Sequence, residues 1–428
     1  MKVLHIITGL GIGGADQQLR LLMRHLDAEC EVITLTEDGP LADEIRAEGV
    51  PVTRLRMEGN RDLRALPRLA ALIRAGRYDI VHTHLYRACV YGRIAARLAG
   101  VRTVLATEHT LGVTRIDGRP LGIGARALYR TSERLGHGTF AVSDPVAHRL
   151  EALGLPASRV HVAPNGVDSA RFRFDPDARA RTRSRLGIPK EAYVAGGVGR
   201  QVQGQHFDLL IRAVAETAGM YLVLSGDGPE RVPLLRLVHA LGVQDRVKLT
   251  DSVAVPGAAP LMSAMDLFVS PSTEEAFGLP VVEALASGLP VLYVSCPAVE
   301  DLPPEHAPGA RRVEPVGLVT ALREAHLAGP RRLPVPAAVE QYDIARTAEH
   351  IQTLYTRIAG RRRLLRRATQ PAPVPRPARE ADLSPKAAST PAQATAPDQA
   401  AAPSAAATLA QPPAQASAES TAQPAAKK

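Results

Sequence analysis

The sequence contains no tryptophan, only 4% aromatic residues and three cysteines in 428 positions. Cys30, Cys89 and Cys296 stand far apart and form no C-x-x-C pair, which excludes a zinc ribbon or a disulfide framework and is typical of a reducing compartment. No apolar run reaches the roughly 18 to 20 residues that a membrane-spanning helix needs. Glycines interrupt the apolar start of the chain and no small-residue cleavage site follows, so we do not interpret it as a signal peptide. We therefore expect a cytoplasmic protein.

Most of the formal net charge of +9 lies at the C-terminal end. From Arg361 onward there are ten lysines and arginines against four acidic residues, so the first 360 residues carry only +3. A nearly neutral body excludes nucleic acid as the expected main partner. The basic run 361–367 is either a solvated helix end or a contact with anionic lipid headgroups. Residues 370–428 are mostly Ala, Pro, Gln, Ser and Thr and predict a disordered tail, because such a segment buries too little apolar surface to offset its ordering entropy.

Short β-rich runs alternate with helical patterns over the first 360 residues, which predicts an α/β fold. A turn at 164–168 separates two such series, and the length exceeds what one core usually supports, so we predict two Rossmann-like, doubly wound domains. The predicted strands are 2–8, 30–36, 80–84, 103–107, 138–142, 160–163, 193–198, 221–225, 247–250, 267–270 and 290–294. The predicted helices are 16–26, 207–216, 230–241, 280–286 and 343–358, and the last of these has one apolar face that must pack on a domain.

The first strand is followed by Gly9-Leu10-Gly11-Ile12-Gly13-Gly14, which matches G-x-G-x-x-G. Three interpretations stay open for this loop. It is the dinucleotide loop of an NAD-dependent oxidoreductase, or a glycine loop that approaches a phosphate or sugar across a cleft, or a tight strand-to-helix turn. The acidic residue expected at the end of the second strand of a dinucleotide fold is met only loosely, by Glu37.

The strongest local pattern lies in residues 267–285, where a predicted strand runs into a loop with Glu275 and a helix begins near Pro280. The N–H groups around residues 277–279 then face any anion in the cleft, and the helix dipole favours that anion. Glu283, one turn into the helix, is placed to accept hydrogen bonds from vicinal hydroxyls such as those of a ribose. The alternative is an ordinary acidic helix start with one exposed carboxylate.

Five motifs in this order resemble the family-4 retaining glycosyltransferases of the GT-B fold, from residue 1 to about 360. They are Gly13-Gly14, Pro164-Asn165-Gly166-Val167-Asp168, Gly199-Arg200, Gly226-Asp227-Gly228-Pro229-Glu230, and the Glu275 to Glu283 pair with seven residues between. The resemblance implies an acceptor-binding domain, 1–168, a nucleotide-sugar-binding domain, 169–342, and a helix, 343–360, that returns to the first domain. It also implies a hexosyltransferase-type enzyme that uses a nucleotide-diphosphate sugar and needs no cofactor and no metal.

Carried over residue by residue, the resemblance assigns a candidate site. Glu275, His109 and Arg200 would be catalytic, with Glu275 also on the donor-sugar hydroxyls and Arg200 on the diphosphate. The donor would be bound by Gly13, Gly14, Arg200, Gln205, His206, Glu275, Phe277, Gly278, Leu279 and Glu283. On the acceptor side, His82 and His84 would line the opening of the same cleft. The alternative is that either one is a buried structural histidine with no contact to a ligand.

The sequence departs from the family pattern at Gln205, where the family usually has a lysine as a second phosphate cation. Loss of such a cation is expected to lower the rate roughly 10²-fold or more. His206 would replace it if protonated. We therefore expect either a glycosyltransferase of cell-envelope or exopolysaccharide synthesis, with a saccharide or lipid-linked acceptor, or a non-catalytic relative that binds a nucleotide-sugar or a partner protein. The arginine-rich segment 61–77 is a surface helix or a peripheral contact with the inner face of the membrane.

Overall fold

Two parallel β-sheets with helices packed on them form the framework of the computed structural model, which describes residues 1–369 except 113–114, 118 and 251–256. The first nine strands are β1 (Lys2–Ile7), β2 (Glu29–Thr34), β3 (Val52–Arg54), β4 (Ile80–His84), β5 (Thr103–Glu108), β6 (Arg115–Ile116), β7 (Arg119–Pro120), β8 (Gly138–Ala141) and β9 (Val160–Val162). Seven of them form a parallel sheet in the order β3-β2-β1-β4-β5-β8-β9, while β6 and β7 pair as an antiparallel ribbon.

The second sheet is also parallel, and its order is β12-β11-β10-β13-β14-β15. Its strands are β10 (Tyr193–Val198), β11 (Met220–Ser225), β12 (Val247–Thr250), β13 (Leu267–Ser270), β14 (Val291–Tyr293) and β15 (Ala310–Arg312). In both sheets the first strand of the series lies in the interior and the order reverses beside it. Ligands bind at such a switch point, beyond the carboxyl ends of the strands.

The helices that connect and cover the sheets are α1 (Gly14–His25), α2 (Leu41–Ala47), α3 (Ala65–Gly76), α4 (Tyr86–Leu98), α5 (Ile123–Glu133), α6 (Asp144–Ala152), α7 (Ser169–Phe172), α8 (Pro176–Arg185), α9 (Phe207–Ala215), α10 (Arg231–Ala240), α11 (Ala258–Ala264), α12 (Leu279–Ala286), α13 (Pro297–Glu300), α14 (Leu318–Leu327), α15 (Ala337–Gln341) and α16 (Ile344–Thr369). No helix among the described residues combines the length and the apolar character needed to cross a bilayer.

The predicted α/β architecture with two parallel sheets is confirmed, and the predicted strands and helices recur with shifted ends. The sequence did not predict the edge strands β3 and β15, because each has three residues of which two are exposed and neither alternates. Residues 1–370 form one compact unit, so the division into domains at residues 168 and 342 stays a prediction. The backbone of the basic run 361–367 continues α16, its side chains lie outside the description, and so does the predicted disordered tail 370–428.

The chain crosses between the two sheets at one place, where two segments pair. The Val167 N–H donates to the Tyr342 carbonyl at 2.7 Å, and the Ile344 N–H donates to the Val167 carbonyl at 3.1 Å. Gln18 of α1 fixes the same place, since its amide bonds both the N–H and the carbonyl of Gly166, at 2.8 and 2.5 Å. A Cβ on Gly166 would lie 2.7 Å from the Ile344 Cα, so only glycine allows the segments to approach this closely.

The last helix, α16, packs on α1 and completes the core beside the first sheet. Its Ile351, Leu354, Tyr355 and Ile358 are all buried among residues of β1, β2 and α1. The Tyr355 hydroxyl forms a 2.6 Å hydrogen bond with Nδ1 of His82, which is completely buried in β4. The C-terminal helix is therefore an integral part of the N-terminal core.

Replacing Tyr355 by phenylalanine keeps the ring but removes the hydroxyl. His82 would then hold a buried nitrogen without its partner, which should lower the free energy of unfolding by about 1 to 3 kcal/mol in urea denaturation. Thr353→Ala is the matched control, because Thr353 is exposed on the same helix and bonds only the Glu349 carbonyl. The control should change stability by less than about 0.5 kcal/mol. Equal losses in both variants would contradict the role given to this hydrogen bond.

Candidate active site

The loop between β13 and α12 ends in a glycine that no other residue can replace without strain. Gly278 has φ +94°, in the left-handed region, and a Cβ there would lie 2.3 Å from the Cys296 Sγ. Leu279 and Pro280 follow in the first turn of α12. Proline has no N–H and the Val281 N–H donates to the Gly278 carbonyl at 3.0 Å, whereas the Leu279 N–H has no acceptor inside the helix. The loop therefore places the N-terminus of a helix beyond the end of a central strand, which is a site suited to an anion.

Phe277, predicted to bind the donor, is anchored in the protein by its ring. The side chain is buried, and its ring meets that of Tyr342 edge to face at 5.1 Å. The Phe277 carbonyl is also occupied, because it accepts the Ala298 N–H at 2.9 Å. A direct contribution of Phe277 to a ligand in the cleft would thus fall to its backbone N–H.

Glu275 and Gln205 lie side by side, although 70 residues separate them in the chain. The Gln205 amide donates to Glu275 Oε1 at 2.9 Å and to the Ser272 hydroxyl at 3.4 Å. Burial raises the pKa of the Glu275 carboxyl above its ordinary value, and the hydrogen bonds from Gln205 and Ser272 partly counteract this. Gln205 thus occupies the predicted lysine position and holds the candidate catalytic carboxylate without supplying charge.

Glu283 lies in α12 one turn after Gly278. Burial raises the pKa of its carboxyl to about 8, and the nearby Arg171 guanidinium lowers it only in part. Hydroxyl groups that donate hydrogen bonds to the oxygens of such a buried carboxyl stabilise it strongly. The ribose-binding role of Glu283 stays a prediction.

Arg200 is exposed in the loop that follows β10. This loop contacts the loop that follows β11. Gly226 and Gly228 have φ of 143° and 156°, and a Cβ at either would come within 2.2 Å of the carbonyl oxygen of Gly199 or Gln201. The Gln201 side-chain amide also joins the two loops, because it donates a hydrogen bond to the Gly226 carbonyl at 2.9 Å. The two loops fit together only with glycines, and they leave the Arg200 side chain outside the core.

The glycine loop of the first sheet leads into α1, with Gly13 as the residue before the helix. None of the glycines from Gly9 to Gly14 has a positive φ, so the loop does not need them for its turn. Gly11 and Gly13 instead leave room for the Asp16 carboxylate, which accepts the Gly13 N–H at 3.2 Å, and a Cβ on Gly14 would meet no atom within 4 Å. Gly14 therefore leaves open space that a ligand group can occupy.

Asp16 links this loop electrostatically to the second sheet. Burial raises the pKa of its carboxyl to about 6, while the N–H groups of Gly13 and Gly11 and the positive charge of Arg200 act in the opposite direction. Arg200 of the second sheet is therefore among the charges that act on Asp16 beside the first sheet. The structure thus brings the predicted glycine loop and the predicted phosphate-binding arginine to the same region.

Two further contacts cross the cleft, and the sequence analysis missed both. The Ser143 hydroxyl at the start of α6 donates to the Ala276 carbonyl at 2.5 Å. The loop after β5 touches the donor loop, because a Cβ on Gly112 would lie 2.5 Å from Glu274 Oε1. The Ser-Asp-Pro sequence at 143–145 is a recognisable helix start, but nothing in it indicates a partner 133 residues away.

The three predicted histidines lie together at the carboxyl ends of β4 and β5, but not in equivalent positions. His82 has both ring nitrogens occupied, by the Tyr355 hydroxyl at 2.6 Å and by the Thr107 hydroxyl at 2.7 Å, which favours the alternative of a structural histidine. His84 Nδ1 and His109 Nε2 lie 3.2 Å apart, and both side chains line a small cavity next to Pro164 and Asn165. His109 keeps its loop position after β5, as predicted.

His206, the proposed substitute for the missing lysine, stands at the start of α9 with a left-handed φ of 50°. Its Nε2 lies 3.2 Å from the Thr273 hydroxyl, in the same loop as Glu275. It is therefore near the donor loop, and its protonation stays a prediction.

Two family models match the chain one after the other. The model of Glycosyltransferase Family 4 matches residues 12–171, and that of Glycosyl transferases group 1 matches residues 178–309. The chain belongs to the family-4 glycosyltransferases. Among its curated relatives, the D-inositol 3-phosphate glycosyltransferase of Salinispora tropica is 33% identical over 251 residues, 53% of this chain and 51% of that protein. That of Catenulispora acidiphila is 33% identical over 259 residues, 54% and 60% of the two chains. This glycosyltransferase chain spans about half the length of the curated relatives it matches.

Solved structures agree with the GT-B fold of this family-4 chain. Anabaena HepE in complex with UDP and glucose has a TM-score of 0.71 at 22% identity, and the match covers 83% of this chain and all of HepE. A glycosyltransferase from Rickettsia africae has a TM-score of 0.67 at 17% identity, over 83% and 98% of the two chains. The predicted GT-B architecture is confirmed.

The raised pKa of Glu283 predicts a stability difference that depends on pH. A carboxyl whose pKa is about 8 in the folded state and ordinary in the unfolded state makes folding less favourable as pH rises through this window. We expect wild-type protein to lose stability relative to Glu283→Gln between pH 5 and pH 8, with the difference constant above about pH 9. Urea denaturation midpoints at four pH values measure it. Asp245→Asn, at an exposed carboxylate between α10 and β12, is the control, and parallel curves for wild type and Glu283→Gln would contradict the prediction.

Proposed function

We propose that this protein is a retaining, metal-independent glycosyltransferase that moves a sugar from a nucleotide-diphosphate sugar to a saccharide or lipid-linked acceptor. The observation that carries the proposal is the donor loop, which combines Glu275, the N-terminus of α12 at Gly278 and Glu283 at the switch point of the second sheet. Anabaena HepE, which has the same fold, was solved with UDP and glucose and with UDP-glucose. That similarity supports a nucleotide-sugar donor for this chain.

The chemistry requires that negative charge develop on the leaving diphosphate. We propose that the N–H groups at the start of α12 and the Arg200 guanidinium stabilise it, because preorganised donors and cations act strongly in a site that excludes water. Sugar hydroxyls would donate to the Glu275 carboxyl, whose other partner is the Gln205 amide. The proposal needs neither a metal nor a cofactor, since these groups supply the positive potential.

Retention would follow from same-face displacement. The acceptor hydroxyl attacks the anomeric carbon on the face from which the diphosphate leaves, the bond from that carbon to the diphosphate oxygen breaks, and a leaving phosphate oxygen takes the hydroxyl proton. We prefer this route to a covalent intermediate because the Glu275 carboxyl is assigned to the sugar hydroxyls and to the Gln205 amide, and no carboxyl is assigned to the anomeric carbon. Gly14, with open space around it, would let the first sheet approach the same phosphates.

The donor class is tested with purified full-length protein and a panel of UDP-, GDP- and ADP-sugars. Calorimetry gives binding, and release of free nucleotide gives slow hydrolysis. One donor should bind, and Glu283→Ala should weaken it by about 10-fold or more, because the carboxyl would bond two ribose hydroxyls and each such hydrogen bond contributes roughly 0.5 to 1.5 kcal/mol. Asp245→Ala, at an exposed carboxylate between α10 and β12, should leave the affinity unchanged. If no donor binds, the chain is a partner-binding relative instead of a transferase.

The lysine position gives a separate prediction. Gln205→Lys places a cation next to Glu275 and to the expected diphosphate, so donor hydrolysis should rise by roughly 10- to 100-fold. Gln205→Met has a similar length without charge or hydrogen bonds, and it should lower the rate. A rise in both variants would show that the glutamine obstructs the site and that charge is not the cause.

The acceptor side is proposed to face the inner surface of the membrane, as part of cell-envelope or exopolysaccharide synthesis. Within the segment 61–77, α3 buries Leu69 and Ile73. Arg68 in α3 is exposed, as are Arg64 and Leu63 just before it, and Leu63 is 70% exposed. Such a surface suits anionic headgroups. Vesicles with anionic lipid should co-sediment the protein, and Arg64→Glu with Arg68→Glu should reduce this. Unchanged sedimentation of the double variant would mean that α3 is only a surface helix.

A further inference from the structure

Three buried histidines form a continuous chain from the centre of the first sheet to the cleft. His5 Nδ1 lies 3.1 Å from His84 Nε2, and His84 Nδ1 lies 3.2 Å from His109 Nε2. Their exposed fractions are 0%, 1% and 9%. They meet because β1, β4 and β5 are neighbours, and because His5 pairs in register with His82, two residues before His84 on the same face. The sequence analysis had not singled out His5.

A chain of three neutral imidazoles has only two consistent arrangements of its protons, because each ring carries one N–H. In the outward arrangement, His5 donates to His84, His84 donates to His109, and His109 Nδ1 carries a hydrogen that points away from the chain. In the inward arrangement all donations reverse, and His109 Nδ1 becomes an acceptor. Any other arrangement sets two hydrogens or two lone pairs against each other. The state of His5 therefore determines the state of His109.

Burial keeps the chain neutral. It lowers the pKa of His5 to about 3 and that of His109 to about 4, and it lowers the pKa of His84 well below the ordinary range. A proton that reached His109 would have to reside on one of these rings at a high desolvation cost. The chain thus transmits hydrogen-bond direction and carries no net charge at neutral pH.

The inner end selects between the two arrangements. Within the described residues, His5 Nε2 and His109 Nδ1 are both buried and have no hydrogen-bond partner. Buried backbone N–H groups without an acceptor are rarer than acceptors without a donor, and we apply the same order to the imidazole nitrogens. Each arrangement leaves one N–H and one lone pair without a partner at the two ends of the chain. The outward arrangement places the N–H on His109, the less buried end, where a ligand oxygen can accept it, and leaves a lone pair at the fully buried His5, so it is favoured.

We propose that His5 and His84 are positioning residues that hold His109 as a neutral Nδ1–H donor to an oxygen of the bound sugar substrate. This rests on the proposed function, because the substrate supplies the oxygen. It assigns His109 a binding and orienting role and no role as a general acid or base. His82 is outside the chain, since Tyr355 and Thr107 occupy its nitrogens.

The same region offers a second chemistry that the test must separate. Nitrogen atoms of His5, His82 and His84 lie within 4.8 Å of one another, a spacing that a metal ion can bridge. Because each ring would offer one nitrogen, an ion would break one of the two hydrogen bonds of His82 and one of the two hydrogen bonds of His84. The structure favours the hydrogen-bonded chain, because these partners already satisfy His82 and one nitrogen of His5.

The test replaces His84 in two ways. Asn at position 84 can place its amide N–H near the former Nδ1 and donate to His109, whereas Leu cannot. ¹⁵N spectra of the histidine rings in the full-length protein, assigned by single substitutions, report which nitrogen of His109 is protonated. We expect protonated Nδ1 in wild type and in His84→Asn, and loss of that preference in His84→Leu and His5→Leu. Circular dichroism and urea midpoints identify a variant that fails to fold, in which case the wild-type spectrum and His84→Asn decide.

Activity gives the second readout. In donor hydrolysis, His84→Leu and His109→Leu should each lower kcat/KM about 10-fold, and the double variant should lose little more. His84→Asn should recover most of the rate. Additive losses, or a protonated Nε2 on His109 in wild type, would overturn the proposal, as would stoichiometric metal in the purified protein. If no donor binds but His109 is protonated at Nδ1, the proposed function fails and the tautomer assignment stands.

Discussion

The arrangement of the cleft depends on one crossing, where residues 166–168 and 342–344 pair between the two sheets. Gly166 lets the backbones touch, and Gln18 ties the helix after the glycine loop to the same point. On the other side, the Phe277 ring packs on Tyr342, so the donor loop is anchored to the second strand of the crossing. The positions of the two loops that would hold the diphosphate are thus both set by one short backbone pairing. A shift at the crossing would move both loops relative to each other.

The cleft contains several buried carboxyl groups that are not fully paired with cations, and this determines its electrostatics. Glu275, Glu283 and Asp16 all have raised pKa values because the protein withdraws water from them, and Arg171 and Arg200 only partly compensate. Carboxyl groups of this kind gain most from neutral hydroxyl donors, which satisfy their oxygens without requiring a second buried charge. A sugar and a ribose provide such donors, whereas the diphosphate needs the helix N-terminus and Arg200. The division of labour between these groups is consistent with a nucleotide-sugar ligand.

Much of the fold was predictable because buried parallel strands are continuous apolar runs and because glycine and proline mark the turns between them. The donor loop was predictable for the same reason, since Gly278 and Pro280 have conformational roles that few other residues can fill. The contacts across the cleft were not, because Ser143 and Ala276 meet only through the arrangement of whole sheets. His5 was not predicted as a functional residue, because its hydrogen-bond partner His84 lies on the neighbouring strand and the sequence does not show which strands are neighbours.

The position of α16 has a consequence for how this protein can be divided. Ile351, Leu354, Tyr355 and Ile358 complete the core around β1 and α1, although more than 300 residues separate these elements along the chain. The two ends of the described chain therefore belong to one hydrophobic core. The strands of the first sheet are synthesised well before α16, which completes that core. A ribosome-bound N-terminal half exposes the apolar face of α1 until the final helix has emerged. The two sheets are therefore not separable segments of the sequence, and exchanging the first sheet between relatives requires moving both ends of the described chain together.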